Sequence, residues 1–131
     1  MAAVGWYYEN SGMRKLFDSS WKRANLKSNR CRPHSVKEKD VGNELGIVGM
    51  SGNVWEWCAD WYDKDYYTKS PTDDPCNTAS GVNRVLRGGS WSSGARFCRS
   101  ANRGWNRPGG RDIFYGFRLC CSAEPRGGAE Q

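Results

Sequence analysis

Apolar and polar positions along this chain follow no single long period. Between residues 6 and 27 the apolar positions are Trp6, Met13, Leu16, Phe17 and Trp21, and Asp18 to Ala24 contains neither Gly nor Pro. This stretch is predicted to be the most helical part, with Arg14, Lys15, Lys22, Arg23 and Lys27 as a solvated basic face. A turn-rich segment follows to Arg32-Pro33. Gly46, Gly49 and Gly52 then exclude a long helix from residues 43–62. Val54, Trp55 and Trp57 begin a short apolar strand, in which Trp55 and Trp57 share a face and Glu56 takes the other. Residues 63–83, with Pro71, Pro75 and Gly81, read as a long surface loop. Arg84-Val85-Leu86-Arg87 alternates as a strand that Gly88-Gly89 ends or bulges. Residues 92–115 are irregular, Gly116 to Cys120 reads as a closing strand, and 125–131 is a polar, frayed tail. No internal repeat is visible.

Composition narrows the class. At 131 residues and 37% apolar content the chain supports one domain, placed at 1–124, with one modest core. Seven Trp and six Tyr supply much of the buried area, and 16 Gly favour a short, loop-rich α+β domain with little regular secondary structure over a helix bundle. The net charge of +6 is spread along the chain and is offset by an acidic stretch (Glu56, Asp60, Asp63, Asp65, Asp73, Asp74). No arginine-rich helix or nucleic-acid motif accompanies it, so a nucleic-acid partner is not expected. Neither a secretory signal nor an apolar stretch long enough to span a bilayer is seen, so membrane insertion is not expected, and surface display would come by assembly. The cysteines are Cys31, Cys58, Cys76, Cys98, Cys120 and Cys121, without a CxxC, and the one histidine is His34. That set argues against zinc. The thiols are read as mainly buried or free, and their pairing stays open.

Four segments in fixed order carry a resemblance. They are Asn43-Glu44-Leu45-Gly46-Ile47, Met50-Ser51-Gly52-Asn53-Val54-Trp55-Glu56-Trp57, Arg84-Val85-Leu86-Arg87-Gly88-Gly89-Ser90-Trp91, and Cys98-Arg99-Ser100-Ala101 through Gly116-Phe117-Arg118-Leu119. With them the chain resembles the formylglycine-generating enzyme (sulfatase-modifying factor) family. The resemblance implies that family's variant of the C-type lectin-like fold, in which Trp55, Trp57 and Trp91 are scaffold. Gly52-Asn53 suits a turn with left-handed backbone, and Gly88-Gly89 permits a close backbone approach. The chain corresponds to the C-terminal part of the family's domain.

The resemblance also bears on chemistry. Family enzymes use a cysteine pair near the end of the domain to bind copper and activate oxygen. Cys98 matches the second cysteine, whereas Ser93 stands where the first would be, and a hydroxyl cannot replace a thiolate on Cu(I). A single histidine cannot build the iron site of the related sulfoxide synthases. The implied chain is therefore not an enzyme, carries no catalytic residue and needs no cofactor. Calcium is the one candidate ion. Gly52, Val54 and Glu56 match family positions that ligate it, while Gly49 stands where a side-chain ligand is usual.

Residues 92–115 resemble the layout of the variable proteins of diversity-generating retroelements, where a lectin-like frame displays a hypervariable surface. On that resemblance the ligand-binding residues are Ser92, Ser93, Phe97, Asn102, Gly104, Trp105, Asn106, Asp112, Ile113, Phe114 and Tyr115. Their types suit recognition, since aromatics give broad contact at low entropy cost and Ser, Gly and Asn give adaptable hydrogen bonds. Trp105, Phe114 and Tyr115 are the expected anchors, with one of Ile113 and Phe114 open to a core role. Arg96, Arg99, Arg103, Arg111 and Arg118 are expected to brace the loops. The implied partner is a protein or glycan on a target surface. The alternative is a non-catalytic or altered family relative with a structural or regulatory role.

Overall fold

The computed structural model describes residues 5–17, 22–39 and 42–120. The elements are short. Strand β1 (Gly5–Trp6) pairs in parallel with β2 (Ser51–Gly52). A four-stranded sheet has the order β5-β4-β3-β6, with β3 at Trp55–Trp61, β4 at Arg84–Arg87, β5 at Gly104–Asn106 and β6 at Tyr115–Gly116. β3 and β4 are antiparallel with a register shift between Trp57 and Trp61. β4 and β5 are antiparallel and pair Val85 with Trp105, while β6 runs parallel to β3. Helix α1 covers Arg23–Ser28, and single 3-10 turns occupy Val36–Lys39, Tyr66–Thr68 and Ala95–Cys98. No helix among the described residues is long and apolar enough to cross a membrane.

Val85 and Leu86 are both buried although neighbours in a strand. β4 lies between β3 and β5, and the burial of both residues shows that it is covered on both faces. The main core cluster is Tyr8, Leu26 and Trp91, with Leu16, Cys31 and Phe114 packed against it. It is held by polar bonds as much as by apolar area. The Tyr8 hydroxyl accepts from Asn25 Nδ2 at 2.9 Å, and the Ser11 hydroxyl donates to the Trp91 carbonyl at 2.6 Å.

The expected left-handed turn is present at Gly52 (φ 76°) and Asn53 (φ 65°). Asn tolerates this region because its short side chain bonds locally. Here each of its polar groups has a partner. The amide of Asn53 donates to the Trp6 carbonyl at 2.6 Å and its carbonyl accepts from Trp91 N at 2.8 Å. Its side chain accepts from His34 N at 2.8 Å and donates to the His34 carbonyl at 3.1 Å. The His34 ring stacks on Trp6 at 3.8 Å and contacts the Ser11 carbonyl. Gly89 (φ 75°) seats Cys98, since a Cβ there would lie 2.6 Å from Cys98 Sγ, and at Gly52 a Cβ would press still closer on the Trp6 carbonyl.

Two sequence expectations are corrected. The helix expected within 6–27 is reduced to Arg23–Ser28, and Asp18 to Trp21 lie outside the described residues. Side-chain amides capture the backbone upstream. Asn10 Oδ1 accepts from Tyr7 N and its Nδ2 donates to the Gly5 carbonyl, while Asn29 bonds both the amide and the carbonyl of Arg14. Such local bonds compete with the helical ladder. The closing strand expected at 116–120 is only Tyr115–Gly116. Beyond it the Arg118 side chain ties the segment to the Val48 and Gly49 carbonyls, and Phe117 and Leu119 are exposed. The tail expected at 125–131 lies outside the described residues.

Trp91→Ala is expected to lower unfolding free energy by roughly 3–5 kcal/mol, the cost of an aromatic-sized cavity. Asn53→Gly keeps the backbone conformation but deletes two hydrogen bonds, for an expected loss of about 2 kcal/mol. Urea denaturation of both variants against the parent protein checks these values.

Candidate ligand-recognition surface

The residues expected to contact ligand divide into an inward and an outward group. Ser92 is buried and its hydroxyl lies 3.1 Å from that of Ser90. The half-buried Ser93 hydroxyl lies 2.9 Å from the same oxygen and accepts from Ser90 N at 3.2 Å, while the Ser93 carbonyl receives Tyr8 N. Both serines thus brace the turn after β4. Gly104 seats the Trp55 ring, with a Cβ there meeting it at 3.3 Å. Phe114 tilts against Trp91 at a ring separation of 5.1 Å, which settles the core role on Phe114 and leaves Ile113 outside. Tyr115 packs edge-on against Trp57 at 5.6 Å, and its hydroxyl receives Asn106 Nδ2 at 2.9 Å.

The outward group is Phe97, Trp105, Asp112 and Ile113, with Asn102 and Asn106 half-buried beside it in sequence. Trp105 is 54% exposed and Ile113 69%. Trp105 sits on edge strand β5, and Ile113 lies just before the opposite edge strand β6. The Asn106–Tyr115 bond ties the two edge strands together. The Arg96 guanidinium covers the Phe97 ring at 4.7 Å.

The sequence reading missed residues beyond 92–115. The Tyr62 ring lies 5.8 Å from Trp105. The Arg103 guanidinium lies over Tyr62 at 5.2 Å and over Tyr67 at 4.3 Å, and it donates to the Asp63 and Lys64 carbonyls. Arg87 reaches the Tyr67 hydroxyl at 2.6 Å and the Ser100 carbonyl at 2.7 Å. This staple of alternating aromatics and arginines fixes residues 62–67 beside Trp105. A groove of about 340 Å³ adjoins it, lined by Tyr62, Asp63, Tyr66, Lys69 and Asn77 among others. Within it the hydrogen bond from Lys69 holds the Asp63 carboxyl below its ordinary pKa. The tyrosine-rich run Tyr62 to Tyr67 was the available signal. It reads as loop until Arg103 is placed over it.

Cys98 is buried, and its thiol is pushed up to about 11, first by burial and then by the Glu9 charge. Without a bound metal it is therefore protonated at neutral pH. Cys31, Cys58, Cys76 and Cys120 are likewise thiols.

Within the candidate calcium set, the one side-chain ligand is already engaged. Glu56 offers both carboxylate oxygens to Arg118, at 2.6 and 2.5 Å, and that guanidinium also takes the Val48 and Gly49 carbonyls. A guanidinium thus occupies the oxygens a cation would need. No group of three His, Cys, Asp or Glu able to hold a metal occurs among the described residues. In this arrangement the Glu56 carboxylate is paired with Arg118 and is not open to a calcium ion.

The sulfatase-modifying factor enzyme 1-like domain matches residues 2–123. The chain belongs to this family. Over 90 residues it is 41% identical to the formylglycine-generating enzyme of Streptomyces coelicolor, covering 66% of this chain and 29% of that enzyme. It is also 49% identical over 76 residues to the serine/threonine-protein kinase Pkn1 of Chlamydia trachomatis, covering 56% of this chain and 12% of the kinase. The chain thus spans under a third of the length of these relatives. Among solved structures, Treponema denticola variable protein 1 superposes with a TM-score of 0.67 at 35% identity, over 88% of this chain and 34% of that one. PvdO from Pseudomonas aeruginosa shares the fold with a TM-score of 0.66 at 24% identity, over 89% of this chain and 38% of PvdO. These matches bear out the family resemblance, the likeness to variable proteins and the α+β C-type lectin-like class.

Two outcomes are expected. Cys98 has a folded pKa above its ordinary value near 9. Its contribution is thus fully present below about pH 9 and lost as pH rises toward 11. Stability measured between pH 8.5 and 11 should fall less steeply in Cys98→Ala than in the parent protein. Millimolar calcium should leave the melting temperature unchanged, because ligand stabilises only through preferential binding to the folded state. A calcium-dependent rise that Glu56→Gln abolishes would contradict the Arg118 assignment.

Proposed function

We propose that this chain is a ligand-recognition domain, a variable protein of the diversity-generating retroelement kind, and not an enzyme. The observation that carries the reading is the exposure of Trp105 and Ile113 within residues 92–115, where the other described tryptophans of the chain, Trp6, Trp55, Trp57, Trp61 and Trp91, are packed or half-buried. Solvent-facing aromatic and branched side chains flanked by Asn and Arg are the composition of a binding hot spot. The likeness to Treponema denticola variable protein 1 supports the same reading. The oxidase alternative lacks support at its own residues. Ser93 offers a hydroxyl, engaged with Ser90, where the family's first cysteine would supply a thiolate, and a hydroxyl is a poor ligand for Cu(I). The binding residues are then Phe97, Asn102, Trp105, Asn106, Asp112 and Ile113, with Tyr62 added from outside the expected segment. Ser92, Ser93, Gly104, Phe114 and Tyr115 support them from beneath. The ligand is a protein or glycan on a target surface.

A second reading, a structural or regulatory module within a larger protein, has one observation in its favour. The same substructure makes up a small fraction of a chain named as a kinase.

The combined variant Trp105→Ala, Asp112→Ala, Ile113→Ala should melt close to the parent protein, since exposed substitutions cost about half a kcal/mol or less each. The same variant should lose binding to whichever glycan or surface protein the parent captures from arrays of both. A melt lowered as far as that of Trp91→Ala would place these residues in the core and end the reading. Conversion of a peptide cysteine to formylglycine by the parent protein, with oxygen and copper supplied, would end it as well.

A further inference from the structure

The groove beside the aromatic and arginine staple has a narrower chemistry than the recognition surface it adjoins. At about 340 Å³ it lies at the small end of the range of about 300–1,000 Å³ that small-molecule sites occupy. Its walls come from the end of β3, the 3-10 turn Tyr66–Thr68 and residues 77–81. Asn77 sets one wall. Its carbonyl receives Trp61 N at 2.9 Å, its Nδ2 donates to the Trp61 carbonyl at 2.9 Å, and its amide donates to Asp60 Oδ1 at 3.2 Å. Asp63 sets another. Its Oδ1 accepts from Asp65 N at 2.9 Å, and its Oδ2 pairs with Lys69 Nζ at 2.7 Å. The groove is thus formed before a ligand arrives, which lowers the ordering cost of binding.

Two of its aromatic walls are already covered. Trp61 lies under the Arg84 guanidinium at 3.7 Å and Tyr62 under that of Arg103 at 5.2 Å. The half-buried Tyr66 borders both the groove and a smaller cavity of about 70 Å³, so its ring is the one with open space beside it. The polar groups are of complementary kinds. A carboxylate only accepts and an ammonium only donates, and Asp63 and Lys69 stand in contact with capacity beyond their mutual bond. Asn77 and Ser80, also in the lining, can do both. Neighbouring hydroxyls on a sugar ring each donate and accept, so they need both kinds of partner within one ring's width. The C–H face of such a ring is apolar and lies flat on an aromatic. The charges of Asp63 and Lys69 cancel, which favours an uncharged ring over an acidic one. We propose that this groove is a saccharide subsite, in which Tyr66 stacks on a neutral hexose and Asp63, Lys69 and Asn77 bond its hydroxyls. The proposal rests on the recognition reading and narrows it, because Tyr62 belongs to the groove and lies 5.8 Å from Trp105. A sugar seated here is the glycan part of a ligand that also reaches Trp105.

Titration of the full chain with the methyl glycosides of glucose, galactose, mannose and N-acetylglucosamine, and with lactose, tests the proposal by NMR. At least one should bind at millimolar concentration and shift the amides of residues 62–69 and 77–81. Tyr66→Ala should weaken that binding by about tenfold or more, whereas Tyr66→Phe, which keeps the ring, should retain it. Truncating the half-buried Tyr66 also costs stability, so a second variant reads the site independently. Asp63→Asn combined with Lys69→Met removes a surface pair that adds little to the melt, and it should weaken binding as strongly as Tyr66→Ala. Absence of binding by every one of these sugars, binding unchanged in both variants, shifts confined to residues 97–113, or a preference for sialic acid over all the neutral sugars would each overturn the proposal. The variant carrying Trp105→Ala, Asp112→Ala and Ile113→Ala separates this claim from the recognition reading, since it should still bind the simple sugar. A parent protein that binds none of the sugars but captures a surface ligand through Trp105 loses the subsite and keeps the recognition surface.

Discussion

The four hydrogen bonds of Asn53 are the constraint on which the rest of this structure depends. Regular ladders here are two to seven residues long, so they cannot set the relative positions of distant segments. Asn53 does so from one left-handed residue, joining residue 6, residue 34 and residue 91. Position 91 fixes the buried indole on which Tyr8, Leu26 and Phe114 pack. Position 6 fixes the strand that carries the chain into Tyr7 and Tyr8. Position 34 places a histidine ring against Trp6 and the Ser11 carbonyl. A small core needs such polar ties, because its apolar area alone offsets little more than the entropy of ordering the loops.

From that knot the chain leaves toward the recognition surface through tight, fully engaged turns. Ser90, Ser92 and Ser93 share hydroxyl contacts, and Gly89 lets the backbone pass against Cys98. Replacing these serines would break the hydroxyl contacts, and a Cβ at Gly89 would press on Cys98. Further out, Trp105, Asp112 and Ile113 face solvent. Arg103 is the bridge between the two regimes. It stacks on Tyr62 and Tyr67 and so holds an otherwise irregular loop beside Trp105. The same division leaves Cys98 packed under the frame, where burial raises its pKa.

Much of this frame was legible in the sequence. Gly-Asn announced the left-handed turn, and the alternation of Arg84 to Arg87 announced the central strand. Gly88-Gly89 marked the close approach, and the aromatic and glycine-rich segments in fixed order gave the family. What was not legible depended on side-chain direction. Ser92, Ser93 and Tyr115 have the composition of a paratope, yet their hydroxyls face internal partners. The basic, apolar stretch before Asn29 has a helical pattern, yet Asn10 and Asn29 hold its backbone in turns. Glu56 looked like a metal ligand, and only the placement of Arg118, sixty-two residues away, shows where its charge goes. Tyr62 and Tyr67 read as loop because the arginine that organises them lies far off in sequence.

The central claim is that a rigid frame carries a separable surface. A proteolysis-selected display library tests it most directly. Phe97, Asn102, Trp105, Asp112 and Ile113 would be randomised together in one library, and Ser92, Ser93, Phe114 and Tyr115 in another. The account predicts that most members of the first library survive protease as the parent protein does and that most members of the second are digested. Equal survival of the two libraries, or collapse of the first, would contradict it.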